Sequence, residues 1–302
     1  MAVEGAGLDT SAVSIRLAPL ARAPDILSLI ESAGWAYTLA DIERLQRVDP
    51  EGMLVATAGK GSGDGVLGCV YASRWGGLGF IGLLLVRPDQ RGHGLGERLA
   101  REGVRALKAR DCHCIGLDAV PEAVTLYRRL GFVPDWESLR LAVDTSVDER
   151  PAASVRARSA TDVDMAPVLV IDLHGWGADR SRLLRLLQTS GAGSFLVAPD
   201  DEPVRAFGFL RRSVRGWRMG PWVAQSGEEG ADAARAVLAM AMDIATPEPL
   251  SIGVPSYNAL AVEALNRVYA VRMRSCTRMY LGDPGPARAM PGSWAIGAPE
   301  KG

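Results

Sequence analysis

Leu84-Leu85-Val86-Arg87-Pro88-Asp89-Gln90-Arg91-Gly92-His93-Gly94-Leu95-Gly96 runs from an apolar strand into a glycine-rich turn and then a helix. The strand ends at Val86, because Pro88 cannot continue a ladder. Glycines at 92, 94 and 96 let the backbone turn sharply and approach a ligand closely. Leu95, Leu99, Val104 and Leu107 fall near helical spacing, so a helix is expected over Leu95–Lys108. The first N–H groups of such a helix are unpaired and carry partial positive charge. The junction is therefore an anion site suited to a diphosphate, and Arg91 adds a charged hydrogen bond. A plain turn is one alternative. A dinucleotide fold is another, but it uses G-x-G-x-x-G in its first βαβ unit. Here the spacing is Arg-x-x-Gly-x-Gly, after several antiparallel-looking strands.

Upstream, helices are expected at Pro24–Ser32 and Thr38–Val48, and strands at Met53–Ala58, Val66–Arg74 and Phe80–Val86, with a turn over residues 59–65. Downstream come a strand at His113–Ala119, a short helix at Glu122–Leu130 ended by Gly131, and a strand at Trp136–Val143. Asp144–Ser154 has no apolar period and reads as a linker. The second half repeats this order up to a strand at Val271–Leu281, which indicates an internal duplication. Residues 284–302, rich in Pro, Gly and Ala, read as a loose tail.

The 302 residues suit two domains of about 150 each. The longest apolar run, near Ile81–Val86, is far short of the ~20 residues a membrane span needs. No signal-peptide pattern opens the chain, so a cytoplasmic protein is expected. Thirty-four basic residues against 35 acidic ones give no pull toward nucleic acid or membrane. The four cysteines form no disulfide framework. In Cys112-His113-Cys114, strand alternation sends His113 to the face opposite the two cysteines, so no metal is expected.

A second constellation follows the loop by about thirty residues: Ala123, Leu126-Tyr127 and Leu130-Gly131-Phe132. With Arg91-x-x-Gly94-x-Gly96, it resembles the GCN5-related N-acetyltransferase (GNAT) superfamily. Gly34-Trp35, Phe80-Ile81-Gly82, Leu117-Asp118-Ala119, Gly177-Ala178-Asp179-Arg180, Val254-Pro255-x-x-Asn258 and Thr277-Arg278-Met279-Tyr280 are similar to the tandem two-domain bacterial group typified by YitH. The resemblance covers about residues 14–283. It implies an α/β (α+β) fold of two tandem domains, each a mixed, mostly antiparallel, splayed sheet flanked by helices. The limits expected are 1–145 for a catalytic domain, 146–154 for the linker, 155–283 for a degenerate domain and 284–302 for the tail. The resemblance also implies acetyl-CoA as cosubstrate. Backbone groups of Leu84, Leu85 and Val86 would take the pantetheine arm, and Arg91, Gly92, His93, Gly94, Leu95 and Gly96 the pyrophosphate. Tyr127 would sit near the sulfur.

Direct attack of an amine on a thioester needs an acid for the thiolate and a base for the amine. Tyr127 is the expected acid; packing under the cofactor is the alternative. Asp118, at a strand end beside the expected splay, is the first candidate for the base or for holding a cationic substrate; a helix cap is the alternative. Glu31 is a weaker candidate base, and His93 reads as a loop residue. Trp35 and Tyr37 are candidates for the acceptor wall or for ordinary packing.

Aligning the halves at Asn258 and Ala261 matches Leu265 to Tyr127 and Tyr269-Ala270 to Gly131-Phe132. Gln225–Gly230 replaces the loop without an arginine, and Glu228 and Glu229 would repel a diphosphate. The second domain therefore reads as catalytically silent. Asp172, His174, Asp179 and Arg180 could line an acceptor pocket, or be a solvated histidine and a salt-bridge partner. The expectation is an N-acetyltransferase acting on a small amine. The alternatives are a CoA-binding sensor or scaffold, or transfer from another acyl-CoA or to an alcohol. The oligomeric state stays open.

Overall fold

The computed structural model describes residues 13–58, 65–201, 203–285, 290 and 292–297. Most of the turn expected at 59–65, and part of the expected tail, lie outside these. The first half runs β1 (Ser14–Leu17), α1 (Ala23–Ser32), α2 (Leu39–Val48), β2 (Met53–Thr57), β3 (Val66–Trp75), β4 (Leu78–Val86), α3 (Leu95–Lys108), β5 (Cys114–Ala119), α4 (Val124–Arg129) and β6 (Val133–Val143). The second half runs β7 (Arg158–Ser159), α5 (Met165–Trp176), α6 (Ser181–Thr189), β8 (Gly193–Ala198), β9 (Ala206–Ser213), β10 (Gly216–Ala224), α7 (Glu228–Ala245), β11 (Leu250–Pro255), α8 (Ala259–Arg267) and β12 (Val271–Leu281). A last strand, β13, covers Ser293–Ala295.

Local chemistry sets the helix starts. Thr38 and Asp41 form a reciprocal capping box at α2, each side chain accepting from the other's backbone N–H. Gly94, in the left-handed region, opens α3, whose Leu95, Leu99 and Leu107 are buried.

The strands form one sheet in the order β1-β2-β3-β4-β5-β12-β6-β11-β10-β9-β8-β7. Pairs β4–β5 and β10–β11 are parallel, and the other pairs on this path are antiparallel. The two halves exchange their last strands. β12 pairs with β5 of the first half, and β6 pairs with β11 of the second. β6 and β12 then pair with each other at the centre. The sequence places a boundary at 146–154, but the sheet does not break there: each half is completed by a strand of the other.

Side chains reinforce the join. Trp176 of α5 is fully buried and stacks edge-on against Trp75, 6.1 Å away, and at a tilt against Phe80, 5.8 Å away, both in the first half. Asp41 of α2 pairs with Arg44 at 2.7 Å and with Arg211 of β9 at 3.2 Å, all three buried.

The tail also departs from expectation. Met290, Trp294, Ala295 and Ile296 are buried, and β13 pairs with β10. The reading as a loose tail rested on Pro, Gly and Ala content, and it missed the partner these apolar residues find across the chain.

Residues 1–145 produced alone would lack β12 and leave β5 and β6 as unpaired edges. We expect that fragment to aggregate or to show no cooperative melt by circular dichroism. A soluble fragment with a sharp transition would contradict the exchanged sheet.

Candidate active site

β4 and β5 pair in parallel only from Leu78↔Cys114 to Ile81↔Leu117. Beyond Ile81, β4 stays on β3 while its ladder with β5 ends. A gap opens there between the end of β4 and Asp118. Leu83 has φ of 49°, and Leu83 and Leu84 together lie opposite the single residue Val70, a β-bulge. The bulge takes these two residues out of the regular β3 ladder. The Arg87 N–H donates to the Leu67 carbonyl on β3 at 2.8 Å. Antiparallel alternation then turns the N–H and C=O of Val86 toward the gap.

The loop closes over the end of this strand. The Arg91 guanidinium Nε donates to the Val86 carbonyl at 3.0 Å, and His93 Nδ1 lies 3.1 Å from the Arg91 carbonyl. Gly92 and Gly94 have φ of 83° and 78°, a region that side chains with a Cβ rarely adopt. No atom stands within 4 Å of where a Cβ would be at either position, so the cradle opens to free space. Arg91, Gly92, His93 and Gly94 are exposed, whereas Leu95 is buried and Gly96 half-buried in the first turn of α3. Glu97, also in that turn, pairs with Arg101 at 2.7 Å and Arg129 at 3.4 Å, which offsets its charge.

Tyr127 lies on α4, 5 % exposed, with its ring 5.7 Å from Phe132 in an edge-on contact. Burial raises its phenol above the ordinary value, so it stays protonated at neutral pH. Trp35 and Tyr37, between α1 and α2, are half-buried and pack on the cluster that holds Leu83 and Leu85. Tyr127 belongs to the cluster of Leu95, Leu99 and Leu117 on the other face of the sheet. Glu31 is exposed.

Asp118 is where the structure corrects the sequence. Its side chain is 0 % exposed and pairs with Arg278 at 2.6 Å and Arg140 at 2.9 Å. Burial alone would raise its pKa, but the two guanidinium groups and Ser138 overcome that and hold it below the usual carboxylate range. A carboxylate so saturated makes a poor base. Sequence spacing missed its partners because they arrive on β6 and β12. Arg278 is buried with its guanidinium carbon 4.5 Å from the Trp136 ring and 4.9 Å from that of Phe80. Arg140 and Arg278 stand at equivalent places on the exchanged strands. Arg278 faces Asp118 across β12–β5, and Arg140 faces Gly253 across β6–β11. One carboxylate therefore serves two arginines.

In the second half, the Val268 and Ala270 N–H groups both donate to the Leu265 carbonyl, as Leu130 and Phe132 do to that of Tyr127. This repeats the match of Leu265 to Tyr127, and Tyr269 takes the positive φ of Gly131. At the start of α7, Glu229 pairs with Arg205 at 2.9 Å and Glu228 with Arg235 at 3.0 Å. A Cβ at Gly230 would collide with the Gln225 carbonyl oxygen, whereas Gly227 at the start of α7 faces open space, so what sets this helix start apart from that of α3 is its two glutamates. Asp172 and Arg180 form a fully buried ion pair at 2.6 Å, Asp179 caps Ser181, and exposed His174 bonds the Val170 carbonyl. These four residues do not form one site. Among the described residues, no group of His, Cys, Asp or Glu could hold a metal, and no helix is long and apolar enough to cross a membrane.

The model of the acetyltransferase (GNAT) family matches residues 24–132, and that of an acetyltransferase (GNAT) domain matches residues 168–291. This chain belongs to the GNAT superfamily, as a tandem member. Holothin acyltransferase of Pseudoalteromonas sp. (strain SANK 73390) is 29 % identical over 62 % of the chain and 61 % of its own length. The uncharacterized N-acetyltransferase YitH of Bacillus subtilis (strain 168) is 24 % identical over 56 % of the chain and 59 % of its own length. The GNAT chain thus spans about six tenths of these curated relatives. A putative acetyltransferase from Pyrococcus horikoshii shares the fold, with TM-score 0.81 and 24 % identity, over 100 % of this chain and 99 % of that one.

Because Asp118 is held ionised in the folded GNAT sheet, its share of stability is present above the unfolded carboxylate pKa of ~3.9 and is lost as pH falls through the lower folded value. We expect Asp118→Ala to cost about 3–5 kcal/mol, since it strands two arginines. Asp118→Asn should flatten the acid limb of stability against pH. Denaturant melts between neutral pH and the acid limb check both, and an unchanged midpoint would remove the structural role.

Proposed function

We propose that the first half transfers an acetyl group from acetyl-CoA to a small amine. The observation that carries this reading is the open gap beyond Ile81↔Leu117, leading to a helix start with unobstructed glycines. The gap suits an extended pantetheine arm bonded to the backbone of Leu84 and Val86. Arg91 and the N–H groups of Gly92 through Gly96 would hold the diphosphate. Bound acetyl-CoA supplies the activated thioester. The bulge N–H at Leu84 stabilises charge that develops on the carbonyl oxygen. Tyr127, protonated at neutral pH, donates its hydroxyl hydrogen bond to the departing sulfur and passes it a proton that it regains from solvent. The attacking amine arrives neutral from the side of Trp35 and Tyr37, and its surplus proton passes to solvent. Asp118 acts by fixing Arg278 and takes no proton in this scheme.

The test is thiol release from acetyl-CoA across a panel of amines. Tyr127→Phe should lower kcat by about 10²–10⁴ while leaving CoA affinity unchanged. Arg91→Ala should weaken CoA binding by about 10–100-fold through loss of one charged hydrogen bond. Tight CoA binding without turnover on any amine would replace the enzyme with a CoA-binding sensor. Similarity to an enzyme named for acyl transfer favours a second reading, a longer acyl donor. Competition among acyl-CoA chain lengths separates the two.

A further inference from the structure

The second half carries the same kind of gap. β10 and β11 pair in parallel from Trp217↔Leu250 to Met219↔Ile252 and no further. Beyond that point β10 runs on along β9, past a bulge between Met219 and Trp222. The Gln225 N–H donates to the carbonyl of Arg205, just before β9, as Arg87 does to Leu67 on β3. This phase makes Trp222 and Ala224 the counterparts of Leu84 and Val86.

Those positions are taken by the chain itself. Trp222 faces Ala295 in the β10–β13 ladder, and the Ala224 N–H donates to the Gly292 carbonyl at 2.9 Å. On the other side of the gap, the Ile296 N–H donates to the Gly253 carbonyl of β11 at 2.9 Å. Asn258 at the start of α8 donates its amide to the Ser293 carbonyl at 2.8 Å, and the Tyr257 hydroxyl bonds the Met290 carbonyl at 3.3 Å. Trp294 is 3 % exposed, with its ring 4.9 Å from that of Trp222. The contact is tight: a Cβ at Gly220 would collide with the Ile296 carbonyl oxygen.

We propose that Met290 and residues 292–296 are a structural strap that occupies the second cleft permanently, in the place where the first cleft takes its acyl carrier. The part about the carrier rests on the CoA reading of the first cleft. The strap bonds both lips of the gap and buries an indole, so it replaces the ligand as the element that closes the sheet. It is no gate for a second CoA, since the helix start beyond it carries Glu228 and Glu229, whose charge opposes a diphosphate.

The experiment compares the full chain with a chain ending at Gly285, by CoA titration calorimetry and thermal melting. The expected result is one CoA per chain in both, with equal affinity. The shortened chain should melt at least about 5 °C lower and recover when a peptide of residues 286–302 is added. Two equivalents bound by either chain, or no loss of melting temperature, would overturn the strap. If the full chain binds no CoA, the CoA reading of the first cleft fails, while the melting loss and its rescue by the peptide still decide the strap. Should the shortened chain not fold, Trp294→Ala serves. It should lower the melting temperature and speed hydrogen exchange at the Ala224 amide, which donates to Gly292, and unchanged exchange there would refute the strap.

Discussion

The antiparallel pairing of β6 with β12 joins the two halves at the middle of the sheet, and the rest of the structure is arranged around it. Each of these strands also completes the half to which it does not belong in sequence. Backbone hydrogen bonds across them are therefore both the core of the fold and the contact between its halves. The same pairing places Arg278 opposite Asp118 and Arg140 within reach of it. Burying Asp118 and Arg278 is tolerable only because they neutralise and bond each other, with part-exposed Arg140 adding a second bond to the carboxylate. The wall behind the first gap is thus held by residues from both halves of the chain.

That arrangement explains why Asp118 misleads as a sequence feature. A carboxylate at a strand end beside a splay has the position of a base. Its chemistry is set by what surrounds it, and here Arg140 lies 22 residues away and Arg278 160 residues away. Nothing in Leu117-Asp118-Ala119 announces those partners.

Much else was legible, because it depends on local rules. The period of Leu95, Leu99 and Leu107 marked α3, and glycine spacing marked the turn that opens it. The repeated order of strands and helices exposed the duplication, and the missing tyrosine and acidic helix start distinguished its second copy. What stayed hidden was pairing between distant segments. Strand exchange leaves every element where pattern predicts it and changes only its neighbours, so periodicity carries no trace of it. β13 was hidden for a related reason: three residues, Ser293–Ala295, are too few to show alternation, and only the gap they fill gives them a conformation.

Two copies of one half, exchanging their last strands, would build a symmetric dimer with two identical sites. In such a dimer each substitution lands on both sites at once. Covalent fusion removes that constraint. Gly253 can stand where the first half keeps Asp118, Leu265 can stand where it keeps Tyr127, and the two sides of a single sheet are free to differ.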